Sequence, residues 1–162
     1  MADLTSPNFG FLASHDAQLV RLGTLAERYF KEDPATCLIK LRQYGETLAQ
    51  LVAAKAGLFH DAQEPQADLL RRLKFDRVLP REVGELFHHL RTVGNKATHD
   101  NEGNHAEALT ALKFGRELGI WFHRTFGAGK SFSPGAFVPP PDPTAATQAL
   151  TAEPVSYTHL RA

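Results

Sequence analysis

Apolar residues recur at three- and four-residue intervals through most of the chain, the spacing that puts them on one face of a helix. Leu19, Leu22, Leu25, Ala26, Tyr29 and Phe30 mark a first helix, with Ser14 as its expected N-cap and an end near Lys31. Asp33-Pro34 restarts the chain with a capping carboxylate and a first-turn proline. The second helix carries Leu38, Leu41, Gly45, Leu48, Leu51, Val52 and Ala56, and Gly57 is placed to stop it. After a loop from Phe59 to Gln66 comes a short third helix, with Leu69, Leu70 and Leu73 inward and Arg71, Arg72 and Lys74 outward. Pro80 opens a fourth, whose apolar stripe is Val83, Leu86, Phe87, Leu90 and Val93. Asn104 caps a fifth, with Leu109, Leu112, Leu118, Trp121, Phe122 and Phe126. No alternating run of strand length competes. The expected fold is all-α: a bundle of about five helices over residues 14–127.

The flanks read differently. Residues 1–13 are an irregular lead-in whose Phe9, Phe11 and Leu12 tuck onto the bundle. Residues 128–146 turn proline-rich, with FSPGAFVPPPDPT at 132–144, which excludes helix and predicts an extended, semi-rigid strap. Phe132, Phe137 and Val138 are its expected pinning points. Residues 147–154 read as the start of another helix. The closing VSYTHLRA, residues 155–162, resembles read-through of sequencing-adapter sequence, so the natural chain is expected to continue differently beyond Glu153.

Composition narrows the function classes. A length of 162 residues with 43% hydrophobic content suits one domain plus a tail. Eighteen basic residues balance eighteen acidic ones, so no overall field draws the chain onto nucleic acid or an anionic membrane, and any such contact must be local. The single cysteine, Cys37, lies in an apolar helical pattern; it has no partner for an internal disulfide and reads as core. The N-terminus lacks a basic stretch followed by an apolar run, and no stretch of about 18 apolar residues occurs, so a cytoplasmic protein without a membrane span is expected.

Two clusters carry candidate chemistry. Arg91, Asn95 and His99 stand four residues apart, which on a helix makes one polar stripe. Gly94 and Ala97 beside it leave little to hold a neighbouring backbone away. Arginine can hold a phosphate, histidine can move a proton near neutral pH and asparagine can orient either, the parts needed to cleave RNA through its own 2′-hydroxyl. The same groups can instead hydrogen-bond one another and fix helix packing, and the residues alone favour that plainer role. Arg71, Arg72, Lys74, Arg77 and Arg81 form the one strongly basic stretch, either a solvated face or a phosphate-contact surface. Other motifs are weaker. Gly127-Ala128-Gly129-Lys130-Ser131 lacks the preceding strand, and Arg124 stands where a phosphate-binding loop needs glycine. Adjacent His88 and His89 point to different sides of a helix. His99 and His105 share no helical face on which to gather Asp100 or Glu102 around a metal. His123 reads as a helix-end residue facing the dipole.

The stretch LRTVGNKATHDN resembles the signature of a helical domain of obscure function related to the HEPN superfamily. More widely, Asn8 to Pro143 resembles the N-terminal region of bacterial type I restriction enzyme R subunits, through NFGFLASHDAQLVRLGTLAERYF, DPATCLIKLRQYGETLAQLVA, LPREVGELFHHLRTVGNKATH, LGIWFHRTFG and FVPPPDP. That resemblance implies an accessory domain docking a motor subunit, its partners being the remainder of the R subunit, the modification and specificity subunits, and DNA. ATP and Mg are expected only for nuclease and helicase-like domains further along such a subunit, and no cofactor or metal for this stretch. The superfamily resemblance implies a second function, a metal-independent ribonuclease or toxin with Arg91 on the scissile phosphate and His99 transferring the proton. Active members keep arginine and histidine four to six residues apart, whereas seven separate Arg91 from His99. Eight positions leave an angular offset of about 80° at ~100° per residue, which sets the two side chains apart. A third reading is a helical interaction module of an unrelated multidomain protein.

Overall fold

Leu38, Leu41, Tyr44, Leu48, Ala49, Val52 and Ala53 are all buried, and together they span about half the circumference of one helix, α2 (Pro34–Lys55). An apolar face that wide needs more than one neighbour to cover it. In the computed structural model, which describes residues 6–140, α1 (Ala17–Tyr29), α3 (Gln66–Phe75), α4 (Arg81–Asp100) and α5 (His105–Phe126) all pack against α2, and α4 and α5 also pack on each other. The described residues hold helix and loop with no strand, so the chain is all-α with five helices as expected. The expected helix at 147–154 and the adapter-like 155–162 lie outside the described residues.

Local chemistry sets the helix ends. Asp33 accepts the Thr36 N–H at 3.1 Å and the Thr36 hydroxyl at 2.6 Å, with Pro34 at the first helical position. Gly57 closes α2 in the left-handed region, φ +75°, where the Gly57 and Leu58 N–H groups reach back to Ala54 and Ala53. Asn104 and Glu107 form a reciprocal capping box on α5. The start of α1 differs from expectation. Residues Gly10–Ser14 wind into a 3-10 turn that takes Ser14 out of the extended backbone a cap needs; Asp16, φ −167° and ψ 122°, caps α1 instead and accepts the Gln18 N–H at 2.7 Å. Tyr29 is also off the core, 40% exposed, because the buried row continues Leu22, Ala26, Phe30 at four-residue steps and leaves position 29 about 100° away.

Glycines let the helices close on α2. A Cβ on Gly94 would collide with the Cβ of Arg42, and one on Gly119 would stand 2.8 Å from the Tyr44 hydroxyl. That hydroxyl donates to the Gly115 carbonyl at 2.6 Å, tying α2 to α5 from inside the core. Phe9 from the lead-in fills the space over Gly23 and meets the Tyr44 ring edge-on at 5.2 Å. Cys37 is fully buried, and burial pushes its thiol up to about 12, which leaves it inert core as expected.

The strap is fastened chiefly by polar groups. Asn8, fully buried, accepts the Val138 N–H and donates to the Val138 carbonyl, both at 2.8 Å, and donates to Glu27 as well. Arg116, 6% exposed on α5, donates to the Pro134 and Gly135 carbonyls, and Arg124 donates twice to the Phe132 carbonyl. Phe132 stacks on His123 and Phe11, and Phe137 lies under the Lys113 ammonium at 5.9 Å. The expected apolar pins therefore exist at Phe132 and Phe137, while Val138 is held by its backbone and its side chain is 47% exposed.

Gly94→Ala should cost about 1–3 kcal/mol, because backbone-bound Arg42 cannot yield. Gly45→Ala, whose new Cβ would sit an ordinary 3.7 Å from Leu90, should gain about 0.5–1 kcal/mol in helix propensity. Opposite shifts of the urea midpoint are the expected result; shifts of the same sign would refute the close-approach account. Asn8→Ala should cost about 1–3 kcal/mol and speed chymotrypsin cleavage at Phe132 and Phe137, since it orphans buried groups and frees the strap. Unchanged cleavage would show that Asn8 does not hold it.

Candidate functional site

The α3–α4 hairpin gathers most of the basic stretch, and its loops are built to hold it. Arg72 does not join the open face: it forms a two-pronged bond to Glu64, both arms 2.8 Å, and donates to the Leu58 carbonyl, which clamps the loop before α3. The Arg72 hydrogen bonds hold the Glu64 carboxyl below its ordinary range. At the other end of α3, Arg77 sits in the left-handed region, φ 60°, and the Arg77 and Val78 N–H groups return to Lys74 and Leu73. Its side chain is exposed, as is that of Arg81, which opens α4 and pairs with Glu85 at 3.4 Å.

Between the two helices lies an open cleft of about 440 Å³. Its floor is Ala67, Leu70 and Gly84, and its rim carries Arg71, Lys74, His88 and Arg91, with Glu85 the one carboxylate. The Lys74 stem runs over Gly84, at the distance where a Cβ there would meet it in ordinary contact, 3.5 Å. Arg71 is paired only with exposed Asp68, on its own helix. Lys74 and Arg91 form no ion pair among the described residues, and Arg91 Nε is buried without a hydrogen-bond acceptor. The cleft thus joins members of the two clusters that the sequence holds apart, Arg71 and Lys74 from one and Arg91 from the other.

The polar stripe itself does not assemble. Arg91 lines the cleft, Asn95 is half-buried and His99 is exposed in the last turn of α4, with no hydrogen bond or ion pair joining the three among the described residues. Gly94 and Ala97 play the part expected of small residues, packing against α2. His105 faces the Lys31 carbonyl at 3.0 Å and the Phe30 ring, away from His99. Among the described residues, no three His, Cys, Asp or Glu side chains are grouped to hold a metal. His88 and His89 diverge: His88 borders the cleft, while His89 turns its ring edge-on to Phe114 at 4.7 Å in a second groove.

Several features gave the sequence reading no signal. Phe75, 84% exposed beside Lys74, reads in the pattern as an ordinary helical position. Arg116 is buried, with carbonyls as its hydrogen-bond partners among the described residues, and burial lowers its pKa. His15 Nε2 and His123 Nδ1 meet at 2.8 Å across 108 positions of sequence. Burial first, then His123 and Lys55, hold His15 below its ordinary value, and burial does the same to His89.

The fold defines an all-α helical domain, and residues 24–118 match the family described as "Domain of unknown function (DUF4145)", to which the chain belongs. Over 137 residues it is 30% identical to the type I restriction enzyme EcoKI endonuclease subunit of Escherichia coli (strain K12), a match covering 85% of this chain. The chain spans only 12% of that relative's length. No solved structure matches it. No helix among the described residues is long and apolar enough to cross a membrane.

A histidine with a lowered folded pKa stays neutral in the fold while the unfolded chain takes up a proton, so stability is full above about pH 6.5 and falls as pH drops through the folded value. Glu27 works the other way, its carboxyl raised by burial, so its protonation in acid favours the fold. His15→Gln should remove the acid-side loss that His15 contributes, read as the change in the difference between urea midpoints at about pH 7.5 and about pH 5.5. A His15→Gln protein with the full difference would remove the His15–His123 pair from the account.

Proposed function

We propose that this chain is an accessory docking domain of a type I restriction endonuclease subunit, acting in the cytoplasm in restriction-modification defence. One observation carries the reading: the similarity takes in 85% of this chain but 12% of the relative, so it falls on one part of a large subunit. In this reading the chain is the leading, HEPN-like segment of a longer protein. ATP, Mg and the cutting chemistry belong to segments further along. The described surface fits such a role. The strap is fastened at Phe132, Pro134, Gly135 and Val138, which holds residues 132–138 at a fixed place on the bundle. The partners proposed are the remainder of the R subunit, the modification and specificity subunits, and DNA. Mixing the purified chain with the modification and specificity subunits of its source, then sizing the mixture, should move the bundle into the larger complex. Elution of the bundle alone at micromolar concentration would overturn the reading.

A further inference from the structure

We infer that the α3–α4 cleft binds the backbone phosphates of a single nucleic-acid strand, with Phe75 as the platform for an unstacked base. The inference deepens the docking proposal by naming which surface meets nucleic acid. Three observations converge. Arg71, Lys74 and Arg91 surround one cleft in which Glu85 is the only carboxylate, so the local balance favours an anion although the chain as a whole is neutral. Arg91 lines that cleft and forms no ion pair among the described residues, so its guanidinium charge is left without a protein carboxylate there. Phe75, the residue after Lys74, is 84% exposed, which leaves its ring free to stack on a partner.

An exposed aromatic ring next to a cationic groove is the combination that holds single strands: the groove follows phosphates and the ring takes a base, which only an unpaired strand can offer. A carboxylate-bearing peptide would use the cations but not the ring. The surface on the other side of α4 sharpens the choice. There Glu82, Glu85 and Glu117 line the groove that His89 enters, so α4 divides a face that attracts phosphate from one that repels it. Arg72 takes no part, being bound to Glu64.

The test is fluorescence anisotropy of the whole chain with a labelled oligothymidylate of about 15 nucleotides, long enough for a site of ~4–16. An oligouridylate and a duplex of the same length are the comparison arms. Binding through three cations should weaken roughly twentyfold between about 50 and 200 mM NaCl. Arg91→Gln and the double variant Arg71→Gln/Lys74→Gln should bind more weakly and with a shallower salt dependence. Phe75→Ala should lose at least about fivefold on both single strands while the fold, read by circular dichroism, stays intact. Lys40→Gln on α2 and Glu117→Gln in the acidic groove should leave binding unchanged. DNA and RNA strands bound alike would support backbone and stacking recognition, and so would a preference for one of them that Phe75→Ala weakens. No binding at 50 mM salt, binding indifferent to the cleft variants, or a duplex bound as tightly as the strand would each overturn the inference. Co-elution with the modification and specificity subunits, measured on the same cleft variants, reports the docking proposal separately.

Discussion

The structure depends on the burial of α2. Its apolar residues face α1, α4 and α5 together, and α4 and α5 come closest to it where a side chain is missing. Gly94 on α4 and Gly119 on α5 are those places. The tight fit of Gly94 on Arg42 fixes the rotation of α4 about its own axis. That rotation in turn decides that Arg91 looks toward α3 while Leu86 and His89 look toward α5. The cationic cleft is thus a consequence of core packing one layer below it.

The two ends of the described chain are joined by a second constraint, hydrogen-bonding of groups that burial has cut off from water. Asn8 and Arg116 lose hydration, and the strap's own carbonyls and the Val138 N–H replace it, while Glu27 accepts from Ser6 and Asn8. A proline-rich segment suits this work because its free carbonyls are not consumed by helix or sheet. Arg116 keeps no anionic partner, so its charge is held by dipoles alone, which is consistent with its lowered pKa. The same arrangement explains why Ser6, Asn8 and Phe9 are buried although the lead-in has no regular pattern.

Periodicity made the five helices legible, together with the caps at Asp33 and Asn104 and the stop at Gly57, because each of these is local chemistry. It misplaced the cap of α1, since nothing near Ser14 announces that Gly10–Ser14 will wind into a turn of its own. The site was legible only in its parts. Arg71 and Lys74 were visible as a basic face, but Arg72 could not be separated from them, because the Glu64 that removes it lies across a loop. Arg91 was grouped with Asn95 and His99 by helical spacing. Spacing gives the face of a residue but not the neighbour covering that face, and α3 covers only the Arg91 end. The strap's fastenings were half legible: aromatic residues suggested them, while the polar ones, Asn8 and Arg116, depend on contacts more than a hundred and nearly twenty positions apart.

A chain with no net charge can still carry strong local fields, provided its charges are sorted by side. Here α4 separates the two sides of the hairpin, with Arg91 toward the cleft that Arg71 and Lys74 of α3 share and Glu82 and Glu117 in the groove toward α5, while Glu85 sits on the ridge between them. Sorting of this kind costs little in a folded helix bundle, because the like charges lie mostly on different helices and in solvent, where screening is strong. Its effect on a partner is large by comparison, since a partner meets one side at a time. Neutral composition therefore argues against indiscriminate adhesion to nucleic acid, yet leaves oriented binding open. A domain that must be placed on a larger assembly in one orientation needs that combination.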